Sequence, residues 1–156
     1  MKSDIGISEK NSQAVAVILN QLLADEHVLF IKTRNYHWNI ESSNFMEMHK
    51  FYEAQYTELA DAIDDVAERV RKIGHYAEGR LKDYLKLASL EEEEYTNDQQ
   101  KQIKNLLDDH ETLIRSIRKS IDVTGDDHKD AGTADFLTGL LKEHEKWAWM
   151  LRAYLK

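Results

Sequence analysis

Residues 36–69 read YHWNIESSNFMEMHKFYEAQYTELADAIDDVAER, and the second part of this stretch decides the fold. From residue 45 onward its apolar side chains recur at the three- and four-residue spacing of a helix with one buried face. Ser43 or Asn44 is expected to cap the start of this helix, and Asn44, with Glu47 three residues later, resembles a capping box. Gly74 predicts its end. The apolar face consists of Phe45, Met48, Tyr52, Leu59, Ala62, Val66, Val70 and Ile73.

The same helix carries a second set of side chains, which are of the metal-ligand type. His49 and Glu53 are four residues apart, as are Asp64 and Glu68, so each pair lies on one face of the helix. The three carboxylates lie roughly 100° or more around the axis from the apolar face and therefore point away from the core. Imidazole together with carboxylate suits iron, zinc or manganese. A solvated charged face is the alternative interpretation of this spacing.

The distance between the two pairs predicts a dimer. Glu53 and Asp64 are eleven residues apart, which is roughly 16 Å along a helix, whereas metal–ligand bonds are about 2 Å long. One chain therefore cannot bring both pairs to one metal ion. A two-fold partner running antiparallel would place its Asp64 and Glu68 against His49 and Glu53 of the first chain, with the axis near Leu59.

Apolar periodicity predicts three further long helices and one short helix. The residues before them, 1–11, are expected to form a flexible tail. The short helix lies inside the long connection 74–95, and such a connection fits a four-helix bundle whose middle helices run parallel. The predicted fold is therefore all-α, with one domain over residues 1–156. The first of these long helices is expected to start between Ser8 and Ser12 and to end near Ile40. The other two are expected to span about 96–123, with Thr96 as N-cap, and about 132–155. The short helix is expected to span about 81–88.

Several polar residues lie outside the ligand stripe, which consists of His49, Glu53, Asp64 and Glu68, and are assigned by their place in the helical patterns. His110 and His144 fall on apolar faces and are expected in the core. The others are expected on the surface: Asp25, Glu26, His27 and His75.

Composition narrows the class of protein. The chain has 156 residues, no cysteine and no proline, so it has neither disulfides nor thiolate ligands and permits long helices. Its net charge of −8 argues against a nucleic-acid-binding surface and suits a protein that attracts cations. No stretch is expected to approach a membrane span, and no secretory segment is recognised at the N-terminus. A cytoplasmic protein without a membrane partner is expected.

Four motifs in this chain are familiar from a known family: Tyr36-His37-Trp38-Asn39, Asn44-Phe45, His49 and Asp64-Asp65-Val66-Ala67-Glu68-Arg69. They resemble the Dps family, the twelve-subunit mini-ferritins of the ferritin-like superfamily, and the resemblance covers nearly the whole chain. Many members of that family carry Asp where Glu53 stands, which keeps the carboxylate and changes its reach.

The resemblance implies a ferroxidase that oxidises Fe(II), with hydrogen peroxide as preferred oxidant, and stores Fe(III) in a hollow dodecamer. It implies a metal centre made of His37, His49 and Glu53 from one chain with Asp64 and Glu68 from its two-fold partner. Trp38 is either an electron donor to this centre or an interface aromatic. Acidic residues near the last helix would line pores on three-fold axes, and the candidates are Asp126, Asp127, Asp130 and Asp135.

Two alternatives were weighed against this interpretation. A classical ferritin site inside one bundle needs Glu-x-x-His motifs, and no histidine in this chain has an acidic residue three positions before it. A non-enzymatic, nucleoid-associated DNA-binding protein, whose charged stripe only holds a dimer, stays open. Direct DNA binding is nevertheless expected to be weak, because the N-terminal ten residues balance Lys2 and Lys10 with Asp4 and Glu9.

Overall fold

The computed structural model describes residues 3–156, and within them the chain is all-helical. This confirms the predicted fold class, including the short helix in the long connection. A π-helical turn, Val123–Asp127, leads from the fourth helix toward the fifth. The helices are α1 (Glu9–Asn39), α2 (Phe45–Lys72), α3 (Leu81–Leu87), α4 (Gln99–Asp122) and α5 (Ala131–Tyr154).

Side-chain caps fix three of the helix starts. The Ser8 side chain accepts a hydrogen bond from the Asn11 N–H at 3.2 Å, so residues 9–11 belong to α1 and not to the predicted tail. Met1 and Lys2 of that tail lie outside the described residues. The α4 cap is Asp98, which accepts from the Lys101 N–H at 2.8 Å, so the prediction of Thr96 was wrong by two residues.

The two ends of α2 differ in how well the sequence predicted them. The expected capping box is absent: the Asn44 side chain makes no capping hydrogen bond, and Glu47 instead accepts from the Tyr154 hydroxyl at 2.6 Å. Gly74 adopts φ +95°, and the N–H groups of Gly74 and His75 bond to carbonyls in the last turn of α2. This is the Schellman arrangement, which glycine adopts without strain.

The bundle is built from two helical hairpins. The longer helix α1 packs along α2, and α4 packs along α5. The α1 helix is long and apolar enough, by length and composition, to pass for a membrane span, so the expectation that no stretch approaches one was wrong. More than half of its apolar window is buried in the bundle, so these side chains serve as core residues here.

The connection between α2 and α4 is fixed to α1 by buried charged residues. Asp25 is 2% exposed and accepts hydrogen bonds from the N–H groups of Ser89 and Leu90 at 2.6 and 2.9 Å. Lys32 donates to Asp109 at 2.6 Å and to the Glu91 carbonyl at 2.8 Å. The surface assignment of Asp25 was therefore wrong, because a connection lying over a helix needs acceptors for its own N–H groups.

A polar network occupies the centre of the bundle. His110 and His144 are 0% and 2% exposed, which confirms their predicted burial, and their Nδ1 atoms are 2.9 Å apart. His144 Nε2 donates to Glu26 at 2.8 Å, and the Gln55 amide contacts His110. Burial, together with the neighbouring His144, lowers the pKa of His110 well below its usual value. Glu26 is fully buried, so its surface assignment was wrong.

Two other histidines expected on the surface are only partly exposed. His27 stacks on Tyr84 of α3 with ring centroids 4.0 Å apart. His75 forms a hydrogen bond with the Ser12 hydroxyl at 2.9 Å. Both contacts join α1 to the segment after α2, which sequence spacing alone does not bring together.

A candidate metal centre at the corner of α1 and α2

His37, in the last turn of α1, and His49, in the second turn of α2, hold each other in place. His37 Nδ1 donates to the His49 carbonyl oxygen at 2.7 Å, and His49 Nδ1 donates to the His37 carbonyl oxygen at 2.8 Å. The two rings stack with centroids 3.7 Å apart and an angle of 17°. The short turn between α1 and α2 makes this reciprocal contact possible.

These contacts fix the tautomer of both imidazoles. A carbonyl oxygen can only accept, so each Nδ1 carries a proton, and in the neutral imidazole the lone pair is on Nε2. Within residues 3–156 neither Nε2 has a hydrogen-bond partner. An imidazole whose Nδ1–H is fixed by a backbone carbonyl is the arrangement found for metal-ligating histidines.

Aromatic side chains enclose the two histidines. The Phe45 ring stacks on His49 with centroids 5.1 Å apart, and the Tyr56 ring meets His37 edge-on at 5.2 Å. Phe45 was predicted in the core, but it is 40% exposed because it covers His49 rather than the bundle interior. Tyr56 was not among the predicted site residues, although it lies seven residues after His49 on the same helical face.

The three predicted carboxylate ligands are exposed on α2. Glu53 and Asp64 have no hydrogen bond or ion pair from their carboxylates within the described residues. Glu68 pairs with Lys72 at 3.0 Å, and both side chains are more than half exposed. Such a surface pair contributes about 0–1 kcal/mol, so it leaves the Glu68 carboxylate available to a cation.

A single chain does not complete a metal site here. Among residues 3–156, no group of three or more His, Asp or Glu side chains is arranged to hold a metal ion. Helix α2 runs unbroken from Phe45 to Lys72, so Glu53 and Asp64 are separated by roughly 16 Å of helix. A metal ion at this corner would therefore need ligands beyond those that the described chain already brings together.

The four acidic residues predicted to line a pore fall into two groups. Asp126, Asp127 and Asp135 are exposed near the start of α5. Asp130 is 2% exposed and is the N-cap of α5, where it accepts from the Thr133 N–H at 2.9 Å. It also pairs with Arg69 of α2 at 3.1 Å. Asp130 is therefore used to join α2 to α5.

Comparisons with known proteins place this arrangement in a family. Residues 17–156 match the ferritin-like domain model. A low temperature-induced protein of Nostoc sp. strain PCC 7120 is 43% identical, over 98% of this chain and 86% of its own. DNA protection during starvation protein 2 of Bacillus anthracis is 36% identical, over 93% and 98%. The crystal structure of a Dps protein from Vibrio cholerae O1, described as a member of a superfamily of ferritin-like diiron-carboxylate proteins, is 34% identical with a TM-score of 0.94, over 99% and 97%. The match to the ferritin-like domain, the sequence identities and the shared fold show that the chain belongs to the Dps family of ferritin-like proteins.

Proposed function

We propose that this protein is a ferroxidase and iron store, which oxidises Fe(II) with hydrogen peroxide and retains Fe(III) inside a hollow dodecamer. Iron is the substrate and the stored cargo. Membership of a family that includes a diiron-carboxylate protein supports this function. Removal of Fe(II) and peroxide together would protect the cytoplasm and its DNA from hydroxyl radicals.

One observation carries the proposal. His37 and His49 present two Nε2 lone pairs that no group in the described chain uses, and their Nδ1–H groups are fixed by backbone carbonyls. Neither Nε2 is among the buried polar atoms of the described residues that lack a partner, so both remain accessible to a ligand from outside the chain. Imidazole nitrogen binds Fe(II), and the hard oxygen atoms of the nearby carboxylates favour the Fe(III) product.

The proposed centre is shared between two chains. In an antiparallel two-fold pair, Asp64 and Glu68 of one chain approach His49 and Glu53 of the other. Glu53 is exposed and unpaired, so its side chain is free to turn toward a metal ion at His37 and His49. The described part of a single chain forms no three-ligand cluster, so Glu53 would have to turn toward the histidines, and Asp64 and Glu68 of the second chain would complete the centre.

The oxidant determines how many electron donors the centre needs. Hydrogen peroxide accepts two electrons, which two Fe(II) ions supply, or one Fe(II) ion and one oxidisable side chain. Trp38 follows His37 directly and is 61% exposed in the single chain. It is proposed either as this second donor or as an aromatic contact between subunits.

Iron would enter through pores lined by the three exposed aspartates. A ring of carboxylates in a narrow opening concentrates cations. Asp130 is left out of this proposal, because its carboxylate is buried against Arg69 and the first turn of α5. The proposed lining residues are Asp126, Asp127 and Asp135.

The test is an anaerobic titration of the purified assembly with Fe(II), followed by addition of peroxide, with the mass of the particle measured. We expect saturable Fe(II) binding that His37→Ala and His49→Ala reduce, rapid formation of Fe(III), and a mass of twelve chains. A particle that neither binds Fe(II) nor accelerates its oxidation, yet shifts DNA in a salt-sensitive manner, would favour the nucleoid protein instead.

A further inference from the structure

Arg34 lies among three aromatic rings beside the candidate metal centre. Its guanidinium carbon is 4.8 Å from the centre of the Trp38 ring, 5.3 Å from Phe30 and 5.8 Å from Tyr56. Phe30, Arg34 and Trp38 are each one turn apart on α1, whereas Tyr56 comes from α2. Within the described residues, no hydrogen bond or ion pair involves the Arg34 side chain, so the ring faces are the contacts of its guanidinium.

One of these rings, Tyr56, also contacts a histidine that would hold iron. Tyr56 contacts the edge of the His37 ring, and Trp38 is the next residue along the chain. Tyr56, which contacts His37, and Trp38, which follows it in sequence, therefore lie around one positive charge that no carboxylate in the described chain neutralises.

We propose that Arg34 is a positioning residue that keeps Trp38 and Tyr56 in their reduced state. A cation is attracted to the electron-rich face of an intact ring. Removing an electron from the ring leaves a positive charge, which the guanidinium repels at about 5 Å. Both effects make oxidation of the ring less favourable. If the proposed ferroxidase function holds, on which this consequence rests, the oxidising equivalents of peroxide are drawn from iron before the protein is damaged.

The competing reactions differ only in the electron donor. With two Fe(II) ions, one hydrogen peroxide is reduced to two hydroxide ions and two Fe(III) ions form. With one Fe(II) ion, the second electron comes from the indole of Trp38, which becomes a radical cation and then loses its Nε1 proton to water. Arg34 disfavours the second reaction through the charge on the radical cation.

The test uses an oxidant that needs no iron. Azide radicals, made by pulse radiolysis, take one electron from an indole, become azide ions and leave the indole radical cation. The wild-type assembly is compared with Arg34→Gln, which removes the charge, and with Arg34→Lys, which keeps it. The oxidised tryptophan products are then measured peptide by peptide by mass spectrometry.

The chain contains its own controls. In the single chain Trp149 is 63% exposed, close to the 61% of Trp38, and no Lys or Arg in the described residues lies over its ring, so the ratio of Trp38 to Trp149 oxidation is compared between variants of the same assembly. Trp147 is 5% exposed, so its oxidation reports unfolding. If Trp147 is oxidised in the Arg34→Gln variant, that variant has unfolded, and Arg34→Met is used as the neutral variant instead. Methionine keeps an apolar stem among the rings.

We expect the neutral variant to raise oxidation of Trp38 on the order of tenfold relative to Trp149, with Arg34→Lys close to wild type. Unchanged Trp38 oxidation in the neutral variant would overturn the proposal, as would an equal rise in Arg34→Lys, which would show that only packing matters. Because this experiment contains no iron, its result is independent of whether the protein is a ferroxidase. A parallel run with Fe(II) and peroxide then measures Trp38 oxidation per iron oxidised.

Discussion

A mixed assembly of two inactive variants tests whether each metal centre needs two chains. One variant carries His37→Ala and His49→Ala, and the other carries Asp64→Ala and Glu68→Ala. Each uniform assembly is expected to oxidise Fe(II) poorly, because an incomplete ligand set loses affinity for the metal. The roughly 16 Å of helix between Glu53 and Asp64 means that the two variants damage separate halves of a centre.

The expected recovery follows from two-fold symmetry. When the variants are refolded together, random pairing makes half of the dimers mixed, and a mixed dimer has one intact centre and one doubly damaged centre. The initial rate of Fe(II) oxidation, followed by the absorbance of the ferric product, should therefore approach roughly a quarter of the wild-type rate. Native mass spectrometry shows whether mixed dimers have formed.

Two controls make the result decisive. His37 and His49 bond to each other's backbone, so their removal can weaken the fold. Glu53→Ala, at an exposed position on the same half of the centre, replaces the histidine variant in that case. Asp61→Ala with Asp65→Ala removes two exposed carboxylates from the same helix and should leave the initial rate unchanged. If mixed dimers are present and the mixture stays as inactive as its parents, the shared centre is wrong.

Three further predictions concern iron entry, DNA and stability. Replacing the exposed pore candidates Asp126, Asp127 and Asp135 with Asn should slow iron uptake at low Fe(II) and low ionic strength. An unchanged uptake rate would rule out their assignment to a pore. Twelve chains would carry a net charge of 12 × (−8) = −96, so no DNA gel shift is expected at physiological salt with EDTA; a persistent shift would contradict this. Lys32→Met should lower the free energy of unfolding by about 3–5 kcal/mol at pH 8, because it leaves the buried Asp109 carboxylate without its cation. Burial raises the pKa of Asp109 to about 6 even beside Lys32, so in the variant this carboxyl is neutral at pH 5, and urea unfolding should show a smaller loss there than at pH 8.

The stripe on α2 explains why the sequence was informative about the site. Helical spacing fixes which side chains share a face and how far apart they are along the axis. The two ligand pairs, His49 with Glu53 and Asp64 with Glu68, and the distance between them were therefore predictable from the sequence. The helix end at Gly74 was equally predictable, because few residues other than glycine adopt the positive φ of that position.

The contacts across the bundle were not predictable in this way. Asp25, Glu26 and Asp130 have the sequence surroundings of surface carboxylates, yet each is buried by a partner distant in the chain: Ser89 and Leu90, His144, and Arg69. Pairing of this kind depends on how the helices are arranged, and helical periodicity carries no information about it.

By itself, the sequence determined the all-α class, the helices to within a few residues, the burial of His110 and His144, and a ligand stripe too long for one metal ion. Only the tertiary structure decided that His37 and His49 lock each other's tautomer, and that Arg34 and Tyr56 adjoin them. The physical reason is that spacing along one helix is set by local geometry. The proton on an imidazole, and the charge above a ring, depend on atoms that a neighbouring helix brings within a few ångströms.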